Sequence, residues 1–153
     1  MEDLDSTDRA ILDLLQRDCS RSIQDVAKSV GLSQSPCWRR IKRLEAAGVI
    51  SGRVALVDPT RVGLGITVFV SIRTTQHNEG WLERFARGVM AIPEVVELYR
   101  MSGDIDYLLK VLVADIAEYD RIYKELIQVA ELNDVSSSFA MECIKSTTVV
   151  PLV

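Results

Sequence analysis

Apolar residues recur every three or four positions through the first 47 residues, which is the period of amphipathic helices. The first such segment follows Asp5 or Ser6, either of which can cap a helix. Ile11, Leu14 and Leu15 then lie on one face of that helix, where they can support the helices that follow. The pattern predicts that the chain begins with a small helical unit.

A three-residue turn joins the next two helical segments, residues 22–30 and 33–47. Gly31 can end the first of them in a left-handed conformation, and the Ser33 hydroxyl can cap the second. Pro36 falls in the first turn of the second helix, where its missing N–H donor costs nothing. The buried stripe of this helix is then Cys37, Ile41 and Leu44. Two capped helices with this turn form a helix-turn-helix.

Beyond residue 64 the period of the apolar residues changes, and β-branched residues become frequent. The pattern predicts strands at 65–75, 95–102, 105–113 and 134–145, helices at 79–91 and 115–130, and a short edge strand at 147–152. The order strand, helix, strand, strand, helix, strand is the split βαβ, or ferredoxin-like, arrangement. We therefore expect an α+β protein with an N-terminal winged helix-turn-helix over 1–50, a wing or linker strand over 51–63, and a βαββαβ domain over 64–153.

Positive charge is concentrated on the second helix of the helix-turn-helix, where residues 33–47 hold four Lys/Arg and one acidic residue, Glu45. In this motif the second helix lies in the major groove of double-stranded DNA, where Arg, Gln and Ser can pair with base edges. The candidate DNA contacts are Ser22, Ser33, Gln34, Ser35, Trp38, Arg39, Arg40, Lys42 and Arg43. The alternative is a merely solvated basic face, but cap, turn, proline and charge together favour DNA binding.

The net charge of −4 at first argues against DNA as a partner, but its distribution removes the objection. Residues 1–60 hold nine Lys/Arg and nine Asp/Glu, whereas residues 61–153 hold nine and thirteen, so the second part carries the whole excess. An acidic body lowers non-specific affinity for DNA. Binding should therefore depend on a few placed contacts and on more than one copy of the motif.

Other classes of protein are disfavoured by the residues present. The apolar runs are too short to span a bilayer, and the acidic N-terminus lacks the regions of a signal peptide, so we expect a cytoplasmic protein without membrane partners. Cys19, Cys37 and Cys143 are odd in number and widely spaced, which argues against a disulfide framework. With one histidine and no paired nucleophile and base, the sequence predicts no enzyme, no metal and no cofactor.

Four segments resemble the Lrp/AsnC family of bacterial and archaeal transcription regulators. They are 4–15 (LDSTDRAILDLL), 30–48 (VGLSQSPCWRRIKRLEAAG), 104–111 (DIDYLLKV) and 139–145 (FAMECIK), and they fall in the family's order over essentially the whole chain. The resemblance implies that the second domain, of the type called RAM or AsnC, senses an amino acid and dimerises through its sheet. It also implies that dimers assemble further into tetramers or octamers.

The second candidate site is the segment 101–107, MSGDIDY. On residue types alone it is a hairpin turn in which Gly103 supplies a positive φ. Free N–H groups in such a turn can hold a carboxylate, and nearby Asp side chains can hold an ammonium, a pair that suits an amino acid. The resemblance implies an effector pocket at Met101, Ser102, Gly103, Asp104 and Asp106, with Ser136 and Ser138 of the last strand. Ile105 stands where the family commonly has Tyr.

Together these features predict a homo-oligomeric regulator that binds palindromic promoter sites, with recognition helices ~34–36 Å apart. Residues 38–44, 101–108 and 135–145 are most similar to the branch of the family that contains regulators of cysteine detoxification, so cysteine is the first effector to test. Two alternatives stay open. One is an architectural DNA-binding protein that ignores metabolites, and the other is a split-βαβ enzyme such as an acylphosphatase-like hydrolase.

Overall fold

The computed structural model describes residues 3–76 and 78–152, so Met1, Glu2, His77 and Val153 lie outside the described part of the predicted domains. The chain divides into two compact units, Met1–Ala55 with Ile144–Val153, and Leu56–Cys143. The change of unit at residue 55 falls within the predicted linker. The sequence predicts that the last ten residues belong to the second domain, whereas in the structure Ile144–Val153 group with the first unit.

The first unit is built on three helices, α1 (Ser6–Arg17), α2 (Ile23–Ser29) and α3 (Gln34–Ala46). Asp5 caps α1 reciprocally: its carboxylate accepts from the Asp8 N–H at 2.8 Å, and its own N–H donates to the Asp8 carboxylate at 3.3 Å. The Ser22 hydroxyl caps α2 by accepting from the Asp25 N–H at 3.1 Å. Side-chain caps thus fix where the first two helices begin.

The turn between α2 and α3 confirms one sequence prediction and corrects another. Gly31 has the predicted left-handed backbone, with a φ of 70°. Ser33 occupies the N-cap position of α3, but its side chain makes no capping hydrogen bond, so the predicted cap is wrong. Pro36 stands at the third helical position and has no N–H, so one of the two donors that a capping hydroxyl can accept from is missing.

The inward faces of the three helices meet in a small apolar cluster of Ile11, Val26, Ala27, Cys37 and Ile41. Leu44 is also fully buried, so the predicted stripe of α3 is confirmed. This cluster leaves the opposite face of α3 open to solvent.

The second unit contains β1 (Ile66–Arg73), α4 (Glu79–Met90), β2 (Val95–Arg100), β3 (Tyr107–Val113), α5 (Ile116–Val129) and β4 (Asp134–Phe139), preceded by a 3₁₀ helix, Pro59–Val62. The four strands form one antiparallel sheet in the order β2-β3-β1-β4. The predicted order of elements is confirmed.

Three predicted strand segments differ in the structure. Residues 51–58 form no strand and are exposed, because no neighbouring strand pairs with them, so the predicted wing strand is wrong for this chain. The last strand ends at Phe139 instead of residue 145, since its final partner is Thr67, next to the start of β1. Residues 147–152 also form no strand; Gln16 of α1 holds them by donating to the Val150 carbonyl at 3.1 Å and accepting from its N–H at 2.9 Å.

The core of the second unit lies between the sheet and its two helices. Trp81 and Phe85 of α4 stack with their ring centroids 4.9 Å apart, and Phe85 also lies 4.8 Å from the ring of Tyr107 on β3. The two helices approach closely at Gly88, where an added Cβ would lie 2.3 Å from Cγ1 of Val129. Among the helices of the described residues, none is both long enough and apolar enough to cross a membrane.

Candidate DNA-recognition helix and effector turn

Most of the predicted DNA contacts lie on the open face of α3. The exposed residues are Ser33, Gln34, Ser35, Trp38, Arg39, Lys42 and Arg43, and Trp38 keeps 53% of its surface accessible. They lie outside the buried stripe of Cys37 and Ile41, which anchor the helix in the apolar cluster. The amphipathic pattern of α3 therefore presents amide, hydroxyl, indole and basic groups to solvent on one side.

Two of the predicted contacts, Arg40 and Arg43, are bound by α1. Nη1 of Arg40 lies 2.8 Å from the Asp8 carboxylate and 2.6 Å from the Asp5 carboxylate. Nη2 of Arg43 donates to the other oxygen of Asp8. Asp8 is only 1% exposed, so the two arginines supply the partners that a buried carboxylate needs. Both arginines thus have a structural role that the sequence pattern did not reveal.

The same ion pairs shift the pKa values of their exposed members. Hydrogen bonds to Asp8 and then to Asp5 raise the pKa of Arg40. The pKa of Asp5 is lowered, first by the hydrogen bond from the Asp8 N–H and next by that from Arg40. Each group is held in its charged form, as expected for an ion-paired network.

The remaining basic residues of α3 differ in their partners. Nζ of Lys42 lies 2.7 Å from Glu45, which also pairs with Arg53 at 2.9 Å. Hydrogen bonding from Lys42 is the main cause that lowers the pKa of Glu45. Within residues 3–76 and 78–152, Arg39 is the one basic residue of α3 without a carboxylate partner.

The two predicted serine contacts outside α3 also differ. The Ser22 hydroxyl accepts from the Asp25 N–H and donates to the Asp25 carboxylate at 2.6 Å, so it is engaged within the protein. The Ser33 hydroxyl is exposed and makes no capping bond. Ser33 is therefore the better placed of the two to bind a phosphate or a base.

The effector turn connects β2 to β3. It is closed by a hydrogen bond from the Met101 N–H to the Asp106 carbonyl at 2.8 Å, and Gly103 has a φ of 125°. Inside this closure, the backbone N–H groups of residues 102–105 donate to no acceptor of the described part of the chain. The Asp104 side chain is exposed and likewise has no partner there. Free donors and a free carboxylate thus lie side by side.

Asp106, in contrast, is used to fix the turn. Its carboxylate accepts from the Thr74 N–H at 2.8 Å, and its own N–H donates to the Ile72 carbonyl at 2.9 Å. Thr74 is 6% exposed, and its hydroxyl accepts from the Gln76 N–H at 3.0 Å. The turn is therefore tied to the end of β1 at two points.

The start of β4 is tied to the same end of β1. The Asn133 N–H donates to the Arg73 carbonyl at 2.9 Å, and the Asn133 side chain accepts from the Thr75 N–H at 3.0 Å. The effector turn and the start of β4 thus flank one sheet end. Sequence reasoning missed Thr74 and Asn133; the turn preference of Asn could have signalled Asn133.

Ser136 and Ser138 lie further along β4, opposite Ser71 and Phe69 of β1. Both serines are exposed, whereas Ser137 between them bonds Tyr119 of α5. Alternation along the strand therefore places the two predicted serines on the helix-free face of the sheet. Asn133 directly precedes this strand, whereas the two serines lie within it.

A separate open cleft of about 610 Å³ lies where α5 ends and β4 begins. It is lined by Tyr123, Ile127, Gln128, Ala130, Glu131, Leu132, Asn133, Asp134 and Val135. No residue of the turn 101–106 lines it. Among the described residues, no group of three or more His, Cys, Asp or Glu is placed to hold a metal ion.

The exposed recognition helix and the separate α+β unit define the class of protein as a DNA-binding regulator with a ligand-binding domain. Two family models match in accord with this. Residues 4–45 match the AsnC-type helix-turn-helix domain. Residues 67–150 match the Lrp/AsnC ligand binding domain.

Individual proteins are similar over nearly the whole chain. The glutamate uptake regulatory protein of Zymomonas mobilis is 53% identical, over 97% of this chain and 91% of its own. The DNA-binding transcriptional activator DecR of Escherichia coli is 51% identical, over 97% and 99%. A transcriptional regulator of Neisseria meningitidis, solved as a complex with L-Met, is 34% identical, with a TM-score of 0.92 over 97% of both chains.

The chain belongs to the Lrp/AsnC family of transcription regulators. Its families and relatives are transcription regulators, not enzymes, which removes the hydrolase alternative. The helix-turn-helix is its DNA-binding domain, and the α+β unit is its ligand-binding domain.

Proposed function

We propose that this regulator binds palindromic promoter sites through α3 and that an amino acid bound at the effector turn changes this binding. The observation that carries the proposal is that one turn contains both free backbone N–H groups and the unpartnered carboxylate of Asp104. An α-amino acid carries a carboxylate and an ammonium group, which are complementary in charge to these donors and to this carboxylate. Since DNA is the partner, we place the protein in the cytoplasm.

On the effector side, the N–H groups of residues 102–105 would hold the α-carboxylate, and Asp104 would hold the ammonium. Asp106 is already bound to Thr74, so its role would be to keep the turn in shape. Met101 is exposed at the start of the turn, and Ser136 and Ser138 are exposed on β4. These three side chains would contribute to the side-chain pocket, with a second copy completing it.

Cysteine is the first effector to test, because of the resemblance to regulators of cysteine detoxification. Methionine and glutamate are the next candidates, since one relative was solved with L-Met and another is named for glutamate uptake. The backbone donors and Asp104 recognise the groups that all amino acids share. Effector identity would therefore depend on the pocket around the side chain.

Self-association is part of the proposal, and the exposed face of the sheet is what suggests it. The helix-free face of the sheet exposes Phe69, 38% accessible, on β1. Burial of this face against a second copy would give an isologous dimer with two recognition helices. An effector can then act only through different affinities for two arrangements of the dimer or of its higher assemblies.

The experiment is a calorimetric titration of the intact protein with cysteine, methionine, glutamate and leucine. We expect one amino acid to bind, and we expect Asp104→Ala to weaken its binding at least tenfold, since a charged hydrogen bond contributes about 1.5–3 kcal/mol. Glu83→Ala is the matched control, because Glu83 is an exposed carboxylate of the same unit. Unchanged binding by Asp104→Ala would place the effector elsewhere, and no binding at all would favour the architectural alternative.

A further inference from the structure

We propose that Asp8 of α1 is a positioning residue for DNA recognition, which holds α3 through Arg40 and Arg43 and leaves Arg39 as the arginine that reads bases. The proposal rests on α3 being the recognition helix. It divides the basic residues of α3, which are alike in sequence, into two groups with different tasks.

The geometry of the Asp8 carboxylate is the first support. Its two oxygens each bind a different guanidinium, Oδ1 that of Arg40 and Oδ2 that of Arg43. The two arginines are three residues apart, so they are neighbours on the same face of α3. Asp5 adds a second bond to Arg40 and is itself tied to Asp8 by the reciprocal cap of α1. Two attachment points on one face fix the rotation of α3 about its axis.

Burial is the second support. The side chains of Arg40 and Arg43 are 30% and 47% exposed, whereas that of Asp8 is 1% exposed. A buried carboxylate that loses its partner leaves an uncompensated charge in the interior, which is strongly destabilising. The arginines are therefore retained by Asp8 when DNA is present.

The charge distribution on α3 is the third support. Lys42 is paired with Glu45, and Arg40 and Arg43 are paired with α1. Among the described residues, only Arg39 combines an exposed position on α3 with the absence of a carboxylate partner. An arginine that reads guanine needs two free N–H donors of its guanidinium for a bidentate pair. Arg39 meets this requirement, and Asp8 sets where it points.

The test compares Asp8→Asn with Asp13→Asn, an exposed carboxylate on the same helix whose partner is Arg17. Binding to the target site and to scrambled DNA is measured over a range of salt, without effector. The specificity ratio is the affinity for the target site divided by that for scrambled DNA, and the salt slope is that of log affinity against log salt concentration. For Asp8→Asn we expect the specificity ratio to fall about tenfold. We expect the salt slope to steepen by about 1–2, because the released guanidinium groups reach phosphates. Asp13→Asn should change neither. A loss of folded protein alone would lower both affinities in proportion and leave ratio and slope unchanged, and that result would overturn the proposal.

Arg43→Gln keeps the test informative if Asp8→Asn does not fold, because Asp8 then retains Arg40. We expect a reduced specificity ratio with an unchanged salt slope. A slope smaller by about 1 would mean that Arg43 contacts a phosphate in the native complex and would overturn the proposal. Arg39→Ala should abolish the preference for the target and leave the oligomer intact; retained preference would refute the role of Arg39. Failure of the amino-acid proposal would leave all these ratios unaffected, since no effector is present.

Discussion

The two units of this protein hold their functional elements by different means. In the first unit, α3 rests on a small apolar cluster and is fixed on one side by the carboxylates of α1. In the second unit, a larger cluster with stacked aromatic rings holds the sheet whose end carries the effector turn. Apolar packing determines how tightly elements are held, whereas directional charge contacts determine how they are oriented. The difference fits the two functions, because a recognition helix has to be oriented toward DNA and a sheet has to hold the effector turn in place.

The largest expected effect comes from breaking the aromatic core of the second unit. Phe85 is fully buried between Trp81 and Tyr107, and Phe85→Ala should lower the free energy of unfolding of this unit by about 3–5 kcal/mol. Met90→Ala, at a position 73% exposed on the same helix, is the control and should change it by less than about 0.5 kcal/mol. Chemical denaturation of both variants would measure this. Equal losses would show that the aromatic cluster is not what stabilises the unit.

A smaller effect is expected at the crossing of α4 and α5. Gly88→Ala places a Cβ 2.3 Å from Cγ1 of Val129, and we expect a net loss of about 1–3 kcal/mol despite the better helix propensity of Ala. Gly80→Ala in the same helix meets only Asn78 Oδ1 at 3.7 Å and should be neutral or slightly stabilising. Thermal unfolding would compare the two. The same sign for both would contradict close packing as the reason for Gly88.

The smallest effect concerns the charged groups on β2 and β3. Glu97 accepts from the Tyr99 hydroxyl at 2.7 Å and from Lys110 at 3.0 Å, and these two bonds, in that order, lower its pKa from the ordinary 4.5. A lowered carboxyl pKa means that its stabilisation is complete above about pH 4.5 and is lost as the pH falls below that value.

Because Glu97 is partly exposed, solvent screening keeps its contribution to the free energy of unfolding at ~0.5 kcal/mol or less. Chemical denaturation from about pH 6 to about pH 3 should show that the free energy of unfolding decreases less for Glu97→Gln than for the unchanged protein. Parallel curves would show that Glu97 adds nothing in the native state.

Local patterns predicted most elements because their causes are local. The stripe of Cys37, Ile41 and Leu44 and the positive φ of Gly31 follow from spacing and backbone freedom. The predicted cap at Ser33 does not form, and Pro36 leaves the third helical position without an N–H donor. Each of these outcomes can be traced to residues within one helical turn.

Long-range contacts could not be predicted in this way. Arg39, Arg40 and Arg43 look alike on α3, and only the position of Asp8 on another helix separates them. Likewise, the tail around Val150 has a strand-like composition, yet its backbone bonds the Gln16 side chain of α1. Composition does not identify the partner when that partner is distant in the chain.

The effector turn lies between these two cases. The residue types of 101–106 predict a site for an amino acid, and the free N–H groups and the exposed Asp104 agree with that prediction. The use of Asp106 to hold Thr74 was not foreseeable, since the two residues are 32 positions apart in the chain. Residue type indicated a site, and only the fold showed which carboxylate is engaged.

The most direct test is to measure binding of the intact protein to the DNA upstream of its own gene, over a range of salt, with and without cysteine, methionine, glutamate and leucine. We predict salt-sensitive binding that prefers this DNA over scrambled DNA and shifts with one amino acid, cysteine first. Sequence-preferring binding that responds to none of these amino acids would contradict the amino-acid response and favour an architectural role.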